Sequence, residues 1–232
     1  MKVGTQEEWD VARKELLAAE RELDEHSLRV RAQRQELPWV PVEKEYTFAT
    51  ADGPLTLADL FEGRSTLLIY HLMFGADWDV ACPGCTMLAH QYDGAIADQL
   101  NARDVTLVSM SHAPLDKVTA YKAKQGWRVP YVSAHDSDFL YDVKYAFRRE
   151  DIPTLVTEEF DLGKMLDEKP QWLQDYRDEV GASDLLSALS VRPGWDVFAM
   201  RDGVIYNTYR VYAPDRTVNH LHLRVLDLLP PD

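Results

Sequence analysis

Cysteine is almost absent from this chain: only Cys82 and Cys85 occur in 232 residues. Two cysteines three apart cannot build the multi-bridge framework of a small secreted domain. In a reducing compartment such a pair is catalytic, redox-sensing or metal-binding rather than a structural staple. Long apolar runs are missing too. No stretch approaches the roughly 18 to 20 apolar residues of a membrane-spanning helix. The opening Met1-Lys2-Val3-Gly4-Thr5-Gln6-Glu7-Glu8 leads into a charged helix rather than a secretory apolar core. The expectation is a soluble, cytoplasmic protein with no membrane partner. Positive charge is scarce as well: 25 Lys and Arg stand against 39 Asp and Glu, a net charge of −14. That balance argues against nucleic acid and against an anionic membrane surface, both of which are bound through Lys and Arg. The deficit is sharpest around the cysteines, since no Lys or Arg lies between Arg64 and Arg103 while Asp77, Asp79, Asp93 and Asp98 do.

What is present is apolar residue in quantity, 46% of the chain, enough to bury the core of one ordinary domain with an appendage. From about Thr5 to Leu37, Trp9, Ala12, Leu16, Ala19 and Leu23 recur at helical spacing, with Thr5 and Glu8 forming a capping-box pattern and Pro38 ending the helix. Val40 to Ala51 alternates like a strand, Asp52-Gly53 supplies a turn, and Leu55 to Phe61 reads as a short helix closed by Gly63. Thr66 to Phe74 is near-continuously apolar, as a central strand covered on both faces must be. Leu88, Tyr92, Ala95, Ile96 and Leu100 give the helix after the cysteines one continuous buried face. Val105 to Met110 is a second buried strand, Pro114 to Gln125 a helix stopped by Gly126, and Val129 to Ser133 a further strand. Strand, helix, strand, helix implies parallel pairing through crossovers. From about Tyr145 to Ser190 the periodicity fades into an acidic insertion of loops and short helices, read most simply as solvated surface. Asp202-Gly203 then joins two alternating runs in a hairpin, and a last helix is expected from Thr217 to Leu229.

The cysteines sit where a strand hands over to a helix, as Ala81-Cys82-Pro83-Gly84-Cys85. Pro83 suits the first helical position, which makes Cys82 the N-cap and places Cys85 within the first turn. The unpaired amides and dipole of that turn favour a thiolate at Cys82. Cys82 is then the exposed nucleophile and Cys85 the buried resolving thiol. The four nearby aspartates act in the opposite sense, raising the pKa of any thiolate close to them.

The phrases Leu37-Pro38-Trp39-Val40, Tyr46-Thr47-Phe48, Leu57 through Ser65, Tyr70-His71-Leu72-Met73-Phe74-Gly75 and Cys82-Pro83-Gly84-Cys85, together with Trp9 through Leu17, resemble a mostly bacterial, thioredoxin-like family of unknown function predicted to be dithiol–disulfide oxidoreductases. The resemblance implies an α/β thioredoxin-like fold, a central mixed sheet flanked by helices, with a helical arm over residues 1–39 and the main domain over 40–232 carrying the insertion at about 145–190. It implies catalysis by Cys82 and Cys85 without an organic cofactor or a metal, on a protein or small-molecule disulfide, with an unidentified reductant; the arm suits a homodimer. Thioredoxins place a proline opposite the active site just before the hairpin, and Pro153 and Pro193 are both candidates.

Three other readings compete. A peroxiredoxin-type peroxidase would share the fold, but that family carries Thr or Ser three residues before its nucleophile and an arginine nearby, and here Asp79 holds the position. A metal site would take Cys82 and Cys85 with His71, His90 or His112; His71, within an apolar strand, is more simply a satisfied core histidine, and His90 a solvated one. A silent binding module would use Trp78, Trp127, Trp195 and the tyrosines of the hairpin as an apolar docking surface, though aromatics in such strands are more simply core. His220 and His222, on alternate residues of the expected last helix, do not form a pair.

Overall fold

In the computed structural model, the Thr5 hydroxyl accepts from the Glu8 amide at 3.2 Å, and the Glu8 carboxylate accepts from the Thr5 amide at 2.7 Å. This reciprocal capping box opens helix α1, Gln6–Gln35. The structure describes residues 3–158 and 160–212. The chain divides into two compact units, Met1–Trp39 and Val40–Asp232. Taken by itself, α1 carries Trp9, Leu16 and Leu23 along its length without burying them.

The second unit is built on strands β1 (Val40–Pro41), β4 (Thr66–His71), β5 (Val105–Ser111), β6 (Tyr131–Ser133), β7 (Gly194–Arg201) and β8 (Val204–Tyr212), with β2 (Thr47–Phe48) and β3 (Leu55–Thr56) forming a separate ribbon. The six run in the order β1-β8-β7-β4-β5-β6. β4 is parallel to β5 and antiparallel to β7. Between β4 and β5 the chain passes through helices α2 (Pro83–Tyr92) and α3 (Ala95–Asn101), and between β5 and β6 through α4 (Leu115–Gln125). A parallel β-α-β unit whose first strand lies next to an antiparallel hairpin is the thioredoxin-like arrangement. It is held at the hairpin by Asp202 and Gly203, whose φ of 52° and 78° supply the two left-handed residues of a tight two-residue turn.

β4 is flanked by strands on both sides, and its side chains alternate between two buried layers. Tyr70 packs with Trp195 and Tyr92 on the face of α2, at ring separations of 4.6 and 6.5 Å. His71, on the opposite face, stacks on Tyr145 at 3.6 Å. Its Nε2 donates to Asp196 at 2.9 Å, and Asp196 in turn accepts from Arg210 Nε at 2.6 Å. Burial holds the His71 pKa below its ordinary value, so the imidazole is a neutral donor and Arg210 supplies the charge opposite Asp196. His71 is thus a core histidine, as its apolar neighbours implied, but only half satisfied: Nε2 is paired with Asp196, while the buried Nδ1 has no hydrogen-bond partner among the described residues.

Three local expectations are corrected. The stretch from Val40 to Ala51 is not one strand but β1 and β2. Leu55 to Phe61 is not a helix: Leu55–Thr56 pairs with β2, and only Asp59–Phe61 coils, as a single 3₁₀ turn. The Asp59 carboxylate takes the Thr56 amide at 2.8 Å and its hydroxyl at 2.6 Å, a local bond that competes with helix. The helix after the cysteines breaks between α2 and α3. There Asp93 accepts the amides of Arg128 and Val129 at 2.9 and 2.8 Å, and Gly94 turns the chain with φ 75°.

A short helix, α5 (Phe139–Asp142), precedes the insertion, which itself holds α6 (Leu162–Glu168), α7 (Gln171–Val180) and α8 (Leu185–Ala188). The insertion is not a solvated surface, however, because Ile152, Leu173 and Val180 are fully buried. The expected last helix, with His220 and His222, lies outside the described residues. Among those residues no helix is long and apolar enough to cross a membrane.

Candidate active site

The loop from Gly75 to Ala81 carries the chain from the end of β4 to the cysteines, and the insertion clamps it. Trp78 is fully buried and donates its indole N–H to the Ser187 carbonyl at 3.1 Å. The amides of Asp79 and Val80 reach the Val180 carbonyl at 3.0 and 3.3 Å. Asp77 accepts from the Ser187 hydroxyl and from the Ser183 amide. On the other side, Lys117 Nζ donates to the Trp78 carbonyl at 2.6 Å. Gly75 lies so close to the Trp78 ring that a Cβ there would overlap it, so only glycine lets the loop turn over its own indole.

Cys82 is the N-cap of α2 and Pro83 its first residue. The Cys82 amide donates to the Met73 carbonyl at 2.9 Å, and its carbonyl accepts from the Thr86 amide at 2.9 Å, so both neighbours of the sulfur are anchored. Cys85 is buried one turn on, and both residues are free thiols. Cys82 has its pKa lowered to about 6, first by the hydrogen bond Cys85 gives it and then, against the opposing effect of burial, by the Tyr176 hydroxyl and the amides of Cys85 and Gly84. Cys85 is pushed up by that same hydrogen bond, by burial and by the charge on Cys82. The pair therefore splits into one thiolate and one thiol near neutral pH. The aspartates do not reverse this: Asp77 is taken up by Ser183 and Ser187, Asp93 by two amides and Asp98 by Arg128.

Cys82 opens onto a cavity of about 260 Å³. Its floor includes Met73, Pro193 and Leu189, and its walls come from the insertion through Phe160, Trp172 and Tyr176. The register of His71 opposite Gly194 brings Pro193 beside the end of β4. Pro153 sits instead in a 3₁₀ turn and is not part of this lining. Of the two candidate prolines, Pro193 is the one that shares a cavity with Cys82. Arg192 lines it too, donating to the Lys144 carbonyl at 2.7 Å and to Glu158 at 3.2 Å and stacking over Tyr212 at 3.3 Å.

The structure brings Cys82 and Cys85 together and separates them from the candidate metal-binding histidines. His71 is held by Asp196. His90 accepts from Trp127 at 3.1 Å and meets Gln125 at 3.1 Å, so it is exposed but not merely solvated. His112 meets the Tyr141 hydroxyl at 3.0 Å. Among the described residues, no three His, Cys, Asp or Glu side chains gather where they could hold a metal ion. Trp78, Trp127 and Trp195 are core residues, at most 7% exposed, and form no docking surface. Tyr176 and its helix were missed. Their signal was available, since Trp172, Leu173, Tyr176 and Val180 follow helical spacing between Pro170 and Gly181.

Among curated proteins no sequence matches the chain. Solved structures show weak likenesses. The PrxQ protein of Xylella fastidiosa is 13% identical over 73% of this chain and 80% of its own, with a TM-score of 0.41. Peroxiredoxin Q of Xanthomonas campestris is 14% identical over 77% and 89%, also at 0.41. An uncharacterised conserved protein of Geobacillus kaustophilus is 11% identical over 77% and 70%, at 0.39. Resemblances of that strength leave the chemistry of the site to its own geometry. The sequence itself matches a family model over residues 1–231, nearly its whole length, and the chain belongs to that family, DUF899, bacterial proteins of unknown function.

Proposed function

We propose that the protein is a dithiol–disulfide oxidoreductase in which Cys82 attacks and Cys85 resolves. The observation that carries this reading is the geometry of the pair, Cys82 capping α2 with its side chain on a cavity and Cys85 buried one turn on, an arrangement that lowers the pKa of Cys82 and raises that of Cys85. The Cys82 thiolate attacks one sulfur of a substrate disulfide, forming a mixed disulfide and expelling the other sulfur as a thiolate. Cys85 then gives up its proton and attacks the Cys82 sulfur, releasing the second substrate thiol and closing the Cys82–Cys85 disulfide. Two electrons pass to the substrate, and an external dithiol restores the protein pair. Thiolate character, access and a resolving partner are what this exchange requires.

A redox titration tests the reading: protein equilibrated in dithiothreitol buffers, free thiols alkylated, and the mass of the peptide containing both cysteines measured. A reversible two-thiol transition is the expected result. Cys82→Ser abolishes turnover and Cys85→Ser accumulates mixed disulfides; equal activity in the two variants overturns the assignment.

Arg192 gives a second reading some footing, because it places a guanidinium on the lining of the Cys82 cavity, the group a thiol peroxidase needs. Peroxide consumption no faster than that of Cys82→Ser removes this reading.

A further inference from the structure

The insertion turns an apolar side to the one sulfur the proposed reaction uses, and this narrows what that sulfur meets. We propose that the substrate is a small disulfide with apolar, uncharged thiol moieties, and that helices α6 and α7 form its binding wall. The inference rests on the dithiol–disulfide reading above and deepens it.

Shape is the first argument. The half-buried Cys82 sulfur lies on the lining of a concave space of about 260 Å³, just below the roughly 300–1,000 Å³ of pockets for drug-sized ligands. A folded protein presents its disulfide on a surface that such a space cannot admit, whereas a small molecule enters whole. Lining is the second argument. Phe160, Met165, Trp172, Leu173 and Leu189 face this space from the insertion, and Met73 and Pro193 from the rest of the unit. Burying apolar thiol groups against them is favourable at roughly 25 cal/mol per Å². Charge is the third. Arg192, the charged residue of the lining, is already engaged by Glu158 and the Lys144 carbonyl, and the whole chain carries −14. An anionic disulfide would surrender the hydration of its carboxylates without an unengaged cation among the described lining residues to receive them.

The exchange itself is the one written above. The Cys82 thiolate forms a bond to one substrate sulfur, the substrate S–S bond breaks and an apolar thiolate leaves; Cys85 then displaces the second thiol as the protein disulfide closes. Dithiothreitol serves as the reducing dithiol between turnovers.

The test measures second-order rates of Cys82–Cys85 disulfide formation in the full chain with three oxidants: dibenzyl disulfide, oxidised glutathione and insulin. Each rate is divided by that of dithiothreitol with the same oxidant, which removes intrinsic reactivity. The expected result is a normalised preference for dibenzyl disulfide over the other two of about tenfold or more, equivalent to about 1.4 kcal/mol. That preference collapses in Trp172→Glu and in Phe160→Glu. Both residues are about half exposed, 54% and 46%, so a carboxylate there enters the cavity wall without entering the core. Iodoacetamide alkylation of Cys82, measured in each variant, corrects the rates for any change in thiolate reactivity that the added carboxylate causes. Equal normalised rates overturn the proposal, as does a preference for insulin or glutathione, or a preference for dibenzyl disulfide that survives both substitutions. If no oxidant closes the pair, the dithiol reading itself has failed, and this inference falls with it.

Discussion

The Tyr176 hydroxyl donates to Met73 Sδ at 4.0 Å and also helps lower the Cys82 pKa, joining a helix of the acidic insertion to the cap of the cysteine helix. The Tyr176 ring meets Trp78 edge-on at 5.7 Å. One aromatic residue thus shares the cavity of the reactive sulfur and touches both Met73, whose carbonyl holds the Cys82 amide, and Trp78, the buried anchor of the loop between them.

Replacing Tyr176 with Phe removes that donor and keeps the ring. A hydrogen bond to a charged group contributes roughly 1.5–3 kcal/mol, so the Cys82 pKa, about 6 in the intact protein, rises by about one unit or more. The pH dependence of iodoacetamide alkylation reads this directly. A midpoint that does not move shows that the amides and Cys85 suffice.

The low Cys82 pKa also shapes the reduction potential. Below about pH 6 both thiols of the reduced pair are protonated, and two protons accompany two electrons; above it Cys82 stays ionised while Cys85 takes a proton. The potential therefore falls by about 59 mV per pH unit on the acid side and about 30 mV per unit on the neutral side. Equilibration with dithiothreitol or glutathione from pH 5 to 8 is expected to show the break near 6. A single slope across that range contradicts the split acidity.

Acid stability has a separate source. His112 is held down to about 4, by burial first and by the nearby His135 second, and burial also depresses His71. A depressed histidine favours the native state fully above its unfolded pKa near 6.5. That contribution shrinks as the pH falls from 6.5 toward 4, because the unfolded chain takes up the proton first. Urea midpoints measured at pH 7 and pH 4.5 should differ, and His112→Gln should narrow the difference. An unchanged pH dependence in that variant excludes His112 as a source.

Asp196 is fully buried, and its charge is matched by Arg210 at 2.6 Å, with Asn207 Nδ2 donating at 3.1 Å. Arg210→Met strands a buried carboxylate and is expected to cost about 3–5 kcal/mol of stability. Adding Asp196→Asn to that variant recovers part of the loss, since no charge is then left uncompensated. Chemical denaturation of the two variants measures both effects; a single variant as stable as the parent shows that water reaches the carboxylate.

How far the sequence could be read depends on how local each cause is. The Thr5–Glu8 capping box, the Asp202-Gly203 turn, the Gly126 stop and the Pro83 start of the cysteine helix were all legible, because each works through bonds within a few residues. Where the reading failed, a distant partner or a competing local bond had decided the matter. The cysteine helix breaks because Asp93 receives amides from residues 35 and 36 positions away. Leu55 and Thr56 extend because β2 offers them a ladder, while the Thr56–Asp59 bonds turn the chain. The four aspartates near the cysteines suggested a suppressed thiolate, yet three of them, Asp77, Asp93 and Asp98, are engaged by Ser183, Ser187, Arg128 and backbone amides.

By itself the sequence determined that this protein has one thiol pair, that the first cysteine caps a helix leaving a buried strand, and that a parallel β-α-β unit joins an antiparallel hairpin. Hydrophobic period, turn residues and caps act at short range, so they are written in neighbouring positions. Only the tertiary structure decided what surrounds Cys82. Pro193 reaches it through the pairing of β7 with β4, and Tyr176, 94 positions after Cys82, through an insertion whose helical face packs against the cysteine loop. Burial and hydrogen-bond partners set the acidity of a thiol, and both are properties of the folded neighbourhood rather than of the Cys-Pro-Gly-Cys motif.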